Sequence, residues 1–307
     1  MVSRGTLRIS LTPLDALLLL LVLIWGSNFS VVKSAIEEIP AFAFNALRIA
    51  TACVVLLCAS RLSGEAVPAR RDWPALVALG AVGHCGYQLA FVSGLARTTV
   101  ANSSLILGCM PIAVLALNAL SRRREAVGGR QWLGVALAVA GVYLVAGRGA
   151  GATPTTLTGD AMTLVALWCW AWYTTGSRAL LVRYSPLQLS AYATLVGTLC
   201  YAPFGVPDLL ELDWGAVSGW AWVALVVSGF LALSVAHIIW YTGVKRLGSA
   251  RTSVYSNLVP VAAMAVGAVW LGEPLGAARI GGAVLVLGGL VLTRAEGSAA
   301  PAPVTTR

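Results

Sequence analysis

Apolar residues run through almost the whole chain in stretches of about 20, separated by short breaks that hold charged residues, prolines and glycines. A stretch of this length can cross the hydrocarbon core of a bilayer as one α-helix. We therefore predict an all-α membrane protein with ten transmembrane helices, the shortest break being the turn at Arg97–Thr98. The predicted spans are residues 14–34, 41–60, 73–95, 99–120, 130–147, 159–180, 187–206, 217–244, 249–271 and 277–294.

The second half of the chain repeats the first at an offset of 149 residues. Matches between apolar residues arise by chance, but aligned Trp, Gly, Arg and Pro indicate a duplication. We expect two five-helix repeats, at 14–147 and 159–294, joined by a linker at 148–158. An odd number of spans per repeat inverts the second repeat relative to the first, which is a recurrent architecture of secondary transporters. The aligned pairs include Trp73 and Trp222, Gly80 and Gly229, Gly94 and Gly243, Arg97 and Arg246, and Pro111 and Pro260.

Basic residues are distributed asymmetrically between the alternate breaks. With the N-terminal segment 1–13 in the cytoplasm, sixteen Lys and Arg residues fall inside and four outside, which obeys the positive-inside rule. This predicts a multi-pass protein of the cytoplasmic (inner) membrane with both termini cytoplasmic and a disordered tail at 295–307. The four outside residues are Lys33, Arg97, Arg148 and Arg279.

Composition agrees with a lipid environment and narrows the classes of function. The chain is 58% hydrophobic and only 11% charged, whereas soluble domains average roughly 25% charged residues. The net charge of +9 comes from the cytoplasmic breaks, so we expect no nucleic-acid partner. The sequence has no HExxH motif, no cluster of His or Cys and no GxxxxGK[ST] loop, so we predict no metal, no cofactor, no catalytic residues and no enzyme.

Several motifs resemble those of EamA-type proteins in the drug/metabolite transporter superfamily. The resemblance implies ten helices, cytoplasmic termini, and a central cavity lined mainly by helices one, three, four, six, eight and nine. It also implies transport of amino acids or related metabolites, commonly export. The first repeat departs from the pattern where Ser121 to Arg124 precede Glu125. The matching segments are Trp25-Gly26-Ser27-Asn28-Phe29, Ala46-Leu47-Arg48, Asn257-Leu258-Val259-Pro260-Val261 and Leu271-Gly272-Glu273.

Polar residues inside predicted spans are candidates for a substrate cavity, because such residues are costly in lipid. His84 and Gln88 share roughly one helix face with Tyr87 alongside, and His237 and Tyr241 have the same i, i+4 spacing. Each histidine could equally bond to the backbone of a neighbouring helix. The two histidines are not repeat partners, which argues against a symmetric metal or proton site.

Trp168 and Trp172 lie one turn apart within the sixth span, where they could form an aromatic wall for a substrate or serve as interface anchors. Asn28, Asn102 and Asn257 are further cavity candidates in the first, fourth and ninth spans.

Two other kinds of residue suggest mechanical roles. Pro111 and Pro260 occupy matching positions in the two repeats, and we interpret them as hinges. Arg48 lies inside the second span, where it either binds a substrate carboxylate or braces the helix with Glu37 or Glu38 as counter-charge. We favour bracing.

The preferred function is a secondary transporter that moves a small metabolite, such as an amino acid, outward by alternating access. The alternative is a lipid flippase or structural membrane subunit on the same fold. The expected partners are a small-molecule substrate and the lipid bilayer. Proton coupling and exchange are both compatible with the sequence, as are a monomer and a homodimer.

Overall fold

The computed structural model describes residues 12–120, 153–253 and 255–294, together with residues 129, 133, 134, 136, 137, 139–141 and 144. Every regular element in these residues is helical. Most of the predicted fifth span at 130–147, the residue Glu125, the N-terminal residues 1–11 and the tail at 295–307 lie outside the described part of the chain.

The described helices follow the predicted spans in order. Helix α5 begins before the predicted residue 159, and the described part of the predicted ninth span lies on either side of residue 254. The helices are α1 (Pro13–Ala35), α2 (Ala41–Leu62), α3 (Arg70–Arg97), α4 (Val100–Leu120), α5 (Pro154–Gly176), α6 (Arg178–Leu181), α7 (Pro186–Glu211), α8 (Gly219–Leu247), α9 (Ser249–Ser253), α10 (Tyr255–Trp270) and α11 (Ala277–Arg294).

Six helices in the described residues are long and apolar enough to cross a membrane, namely α1, α2, α3, α4, α7 and α8. Helix α5 has 23 residues, and α10 and α11 contribute shorter apolar helices. The protein is therefore a multi-pass helical membrane protein.

Capping residues explain where the first helix of each half begins. Thr12 caps α1 and exchanges hydrogen bonds with Asp15, and Pro13 occupies the first turn, where its missing N–H costs nothing. Thr153 and Pro154 do the same for α5. The early start of α5 follows from this cap, which the apolar pattern alone does not reveal.

The outer surface of the bundle carries large apolar side chains. Leu23 is 63% exposed, Val54 61% and Val269 90%. A contiguous apolar surface of this kind is costly in water and matches lipid tails. The interior, by contrast, is formed where helices pack in pairs: α2 on α7, α3 on α5, α1 on α10, α8 on α1 and α2, α7 on α3, and α4 on α5 and α10.

Charged side chains from other helices hold the turn between α3 and α4. Lys33 Nζ donates to the carbonyl oxygens of Leu95 and Thr98, each at 2.7 Å, where α3 ends. Glu273 accepts the amide N–H of Val100 at 2.8 Å, where α4 begins. A cation at a helix C-terminus and an anion at a helix N-terminus both satisfy orphan backbone groups and complement the helix dipoles.

Replacing Glu273 with alanine is expected to destabilise this end of the bundle by about 1–2 kcal/mol, because the amides of Val100 and Ala101 lose their acceptor. The measurement is the melting temperature of the detergent-solubilised protein. The matched control is Glu211→Ala, since Glu211 is an exposed glutamate at the end of α7. Equal melting temperatures for the two variants would contradict the capping role.

Candidate functional site

A cavity lies in the middle of the bundle, where several helices approach one another without filling the space between them. Its empty volume, counted together with the open mouth, is about 620 Å³. Helices α1, α3, α4, α5, α8 and α10 all contribute to it, and these are the six that the family resemblance implies; α2 adds one residue. The lining residues are Trp25, Asn28, Phe29, Arg48, Tyr87, Gln88, Phe91, Leu107, Gly108, Met110, Trp170, Ala232, Leu233, His237, Ser256 and Val259.

Aromatic rings form one side of the cavity. The ring of Trp170 lies nearly parallel to that of His237, with centroids 5.2 Å apart, and meets Trp25 edge-on at 5.7 Å. Tyr87 and Phe91 stack at 5.7 Å and continue the wall. Such rings bind apolar or planar groups through dispersion and quadrupole contacts.

The cavity wall also carries a chain of polar contacts. Arg48 Nη1 donates to Ser228 Oγ at 3.2 Å, and Ser228 Oγ donates to Asn28 Oδ1 at 2.5 Å. Arg48 Nη2 donates to Gln88 Oε1 at 2.7 Å. Four helices, α1, α2, α3 and α8, therefore meet through neutral acceptors around one buried guanidinium.

Two π-helical turns shape the cavity wall. One spans Gly80–Gly86 in α3 and the other Ser228–Val235 in α8. A π turn displaces the regular backbone ladder and commonly marks a functional site. In α8 the carbonyl of Ala232 accepts the indole N–H of Trp25 at 3.1 Å, which fixes the orientation of that ring.

Five of the residues predicted from sequence line the cavity, and six of the cavity candidates do not. Asn28, Tyr87, Gln88 and His237 are the cavity candidates that do, and Arg48, predicted as a brace, joins them. The others lie elsewhere: His84, Asn102, Trp168, Trp172, Tyr241 and Asn257.

His84 is buried beside the cavity rather than in its wall. Its Nε2 lies 3.0 Å from the hydroxyl of Tyr173 and 3.3 Å from that of Thr194. Its ring centroid is 5.3 Å from that of His237. The two histidines are thus neighbours although they are not repeat partners. Tyr241 is also fully buried, packed edge-on against Tyr173 at 5.2 Å.

Two of the asparagines have other surroundings. Asn102 Nδ2 donates to the carboxylate of Asp160 at 3.1 Å, near the turn between α3 and α4. Asn257 is 4% exposed and lies between the lining residues Ser256 and Val259 without lining the cavity itself.

The tryptophans of α5 require a correction. Trp168 is 46% exposed and Trp172 37% exposed, so both point away from the bundle, and the cavity takes Trp170 from this helix instead. The buried face of α5 carries the small residues Thr163 and Ala166 but also Leu167 and Trp170, so side-chain size does not distinguish it from the exposed face.

Pro111 and Pro260 each begin a helical segment rather than kinking a continuous one. Pro111 is the second residue of the segment Met110–Leu120, and Pro260 is the second residue of Val259–Trp270. A Cβ added to Gly108 would lie 2.5 Å from the ring of Pro260, so the two breaks touch at the cavity. The position suits hinges, and that role stays a prediction.

Arg48 does connect helices, as the bracing interpretation requires, but its partners are Gln88 and Ser228. Glu38, one of the two expected counter-charges, instead accepts from the backbone and hydroxyl of Ser218 at 3.0 Å. Sequence reasoning missed Ser228, which has no feature to distinguish it from other serines in apolar helices.

This architecture defines a multi-pass helical membrane protein with a solute-sized interior cavity. The EamA-like transporter family matches residues 12–147 and 157–295. The chain therefore belongs to the EamA-like transporter family, which confirms the resemblance seen in the sequence.

Relatives in other organisms match over most of their length. A protein of Streptantibioticus cattleyicolor named "Probable terminal-alkyne amino-acid exporter" is 28% identical, with 90% of this chain and 92% of the relative covered. A protein of Salmonella typhimurium named "Probable amino-acid metabolite efflux pump" is 26% identical, with 90% and 93% covered. A crystal structure superposes with a TM-score of 0.69 at 20% identity, covering 93% of this chain and 99% of that one, which shows a shared fold alone.

Proposed function

We propose that the protein is a secondary transporter that carries a small metabolite through the central cavity by alternating access. The observation that carries this proposal is the cavity itself, a space of about 620 Å³ that combines an aromatic wall with a polar strip in the middle of an apolar helix bundle. Burying Arg48 and Gln88 away from water has a cost, which a polar substrate passing through would justify.

The inverted repeat is part of this proposal, and the pairing of helices supports it. In a two-fold repeat, α1 corresponds to α5, α2 to α7, α3 to α8, and α4 to α10, so each contact between helices should have a counterpart. The contact of α1 with α10 has its counterpart in that of α5 with α4. The contact of α1 with α8 has its counterpart in that of α5 with α3, and the contact of α2 with α8 in that of α7 with α3. All of these contacts occur. Ten helices and cytoplasmic termini in the inner membrane complete this arrangement.

Matching backbone features also support two equivalent halves. The π turns of α3 and α8 include Gly80 and Gly229, which are repeat partners at the offset of 149. Rocking two such halves against each other would expose the cavity to either side in turn.

Export of an amino acid or a related compound is the direction and substrate class that we propose, by analogy with the names of the two relatives. Transport coupled to protons and transport by exchange of solutes are both part of the proposal. The described lining residues include His237, which can carry a proton, but no Asp or Glu.

A second groove gives the lipid-flippase alternative a physical basis. It lies on the outside of α1 and α8, has an empty volume of about 480 Å³, and shares Asn28 and Ala232 with the cavity. Its other lining residues are mostly apolar, such as Leu23 and Leu231, and include Ser27 and Ser228. A lipid could enter the bundle along this seam.

The test is flux in proteoliposomes loaded with a cell metabolite extract, with lipid scrambling measured in parallel. We expect saturable solute loss without scrambling. Leu107→Trp, which adds bulk at the cavity wall, should abolish this loss, whereas Val261→Trp on the exposed side of α10 should not. Scrambling without solute flux would establish the flippase alternative.

A further inference from the structure

Arg48 is a buried cation with no counter-ion among the residues that the structure describes. It is 1% exposed, and its two hydrogen bonds go to the neutral side chains of Ser228 and Gln88. Its Cζ lies 5.8 Å from the ring centroid of Phe91, which offers only the weaker attraction of a π face. A guanidinium in such surroundings lacks the anion that normally compensates a buried charge.

Two donors at this position have no partner in the described structure. They are Nε of Arg48 and Nε2 of Gln88. Because Gln88 Oε1 accepts from Arg48 at 2.7 Å, the amide and the guanidinium are adjacent. Both residues line the cavity and each carries a buried donor without a partner, so an acceptor-rich anionic group that reaches them would supply the missing hydrogen bonds.

The rest of the described cavity wall offers no anionic partner for a positively charged group in the ligand. None of the described lining residues is an Asp or Glu, so an ammonium group would have no carboxylate partner. The amino group of a free amino acid is separated from its carboxylate by one carbon and would therefore lie close to Arg48. Two like charges at that separation repel strongly in a poorly hydrated site.

We infer that the substrate is a small organic anion with an apolar or aromatic body and no free amino group, held by Arg48 and Gln88 with its body against Trp25, Phe91 and Trp170. This inference rests on the proposed transport through the cavity, and of the proposed substrate class it excludes free amino acids and keeps related compounds that lack the amino group. A carboxylate fits the planar guanidinium. A phosphonate shares that chemistry.

Four probes with the same phenyl body separate the charge requirement from the apolar contact. They are 3-phenylpropionate, phenylalanine, phenethylamine and 3-phenylpropan-1-ol, titrated into the purified full-length protein by calorimetry. We expect 3-phenylpropionate to bind about tenfold or more tightly than each of the others, because only it matches the donors without adding a cation. A fifth probe, 2-phenylethylphosphonate, tests whether the site binds a phosphonate more tightly than a carboxylate.

The decisive variant is Gln88→Glu, which places a carboxylate where Gln88 Oε1 already meets Arg48. It should raise the melting temperature and abolish the preference for 3-phenylpropionate, since the protein then supplies the anion itself. If Gln88 had only a structural role, the substitution would raise the melting temperature and leave the preference for 3-phenylpropionate unchanged. Arg48→Gln should also abolish the preference, and the control Arg97→Gln should keep it, because Arg97 lies exposed at the end of α3.

Each remaining outcome decides against the inference. Equal or tighter binding of phenylalanine or phenethylamine would reveal a site for an amino group. Equal binding of the alcohol would remove the role of Arg48, and absence of binding by all probes would exclude the substrate class. Metabolite flux in proteoliposomes is measured separately, so each of these failures leaves the transporter proposal intact unless flux is also absent.

Discussion

Replacing Trp170 with alanine is expected to reduce solute flux about 100-fold, the largest loss of any single truncation in the cavity wall. The indole is 6% exposed and lies within 5.2–6.5 Å, between ring centroids, of aromatic rings in α1, α3 and α8. Its removal takes away the apolar surface that binds substrate, and truncating a buried Trp also costs roughly 3–5 kcal/mol of stability.

The measurement compares initial flux rates in proteoliposomes containing equal amounts of folded protein. Trp170→Phe retains a ring and should keep part of the flux, which separates loss of the wall from loss of the fold. Trp168→Ala is the matched control, two residues away on the exposed face of the same helix. If Trp168→Ala lost flux and Trp170→Ala kept it, the choice based on sequence would stand and the cavity would be misassigned.

Replacing Gly94 with leucine is expected to abolish folded protein altogether. A Cβ at this position would lie 2.5 Å from Thr163 Oγ1 and 2.9 Å from the carbonyl oxygen of Gly159. A Cβ added to Gly159 would likewise lie 2.9 Å from backbone atoms of Gly94 and Arg97, so α3 and α5 pack closely at both glycines. A leucine would force the helices apart, at a cost of about 3 kcal/mol or more.

Fluorescence-detected size exclusion of the solubilised protein measures the monodisperse fraction. Gly288→Leu is the control, because Gly288 is an exposed glycine in α11 whose added Cβ meets no atom within 4 Å. A normal elution profile for Gly94→Leu would show that α3 and α5 can separate without loss of the fold.

Much of the helix framework could be predicted from the sequence because lipid imposes a strong pattern. The break between α3 and α4 falls at Thr98, where the sequence places it, although only two residues separate the helices. The set of helices that line the cavity could be predicted from the family motifs. The first residue of a helix was harder to predict. Helix α5 begins at Pro154 because Thr153 caps it, which adds a turn of polar residues outside the apolar stretch.

The candidate site was harder to predict because helix faces in a membrane protein are weakly marked. Both sides of α5 carry tryptophan, and only packing decides that Trp170 faces inward. His84 and Gln88 are spaced four residues apart, yet only Gln88 lines the cavity. The π turn at Gly80–Gly86 lies across this spacing, so a periodicity of 3.6 residues does not describe the faces there.

The same two π turns have a consequence for how such chains diverge. Each turn accommodates one residue more than an α-helix would, so deleting a single residue there would restore a regular α turn and leave the helix beyond it in register, whereas the same deletion in a regular stretch would rotate everything beyond it by about 100°. In α3 that rotation would carry Tyr87, Gln88 and Phe91 away from the cavity together. The π turns are thus the places where related chains can lose a residue and still keep the same side chains on the cavity wall.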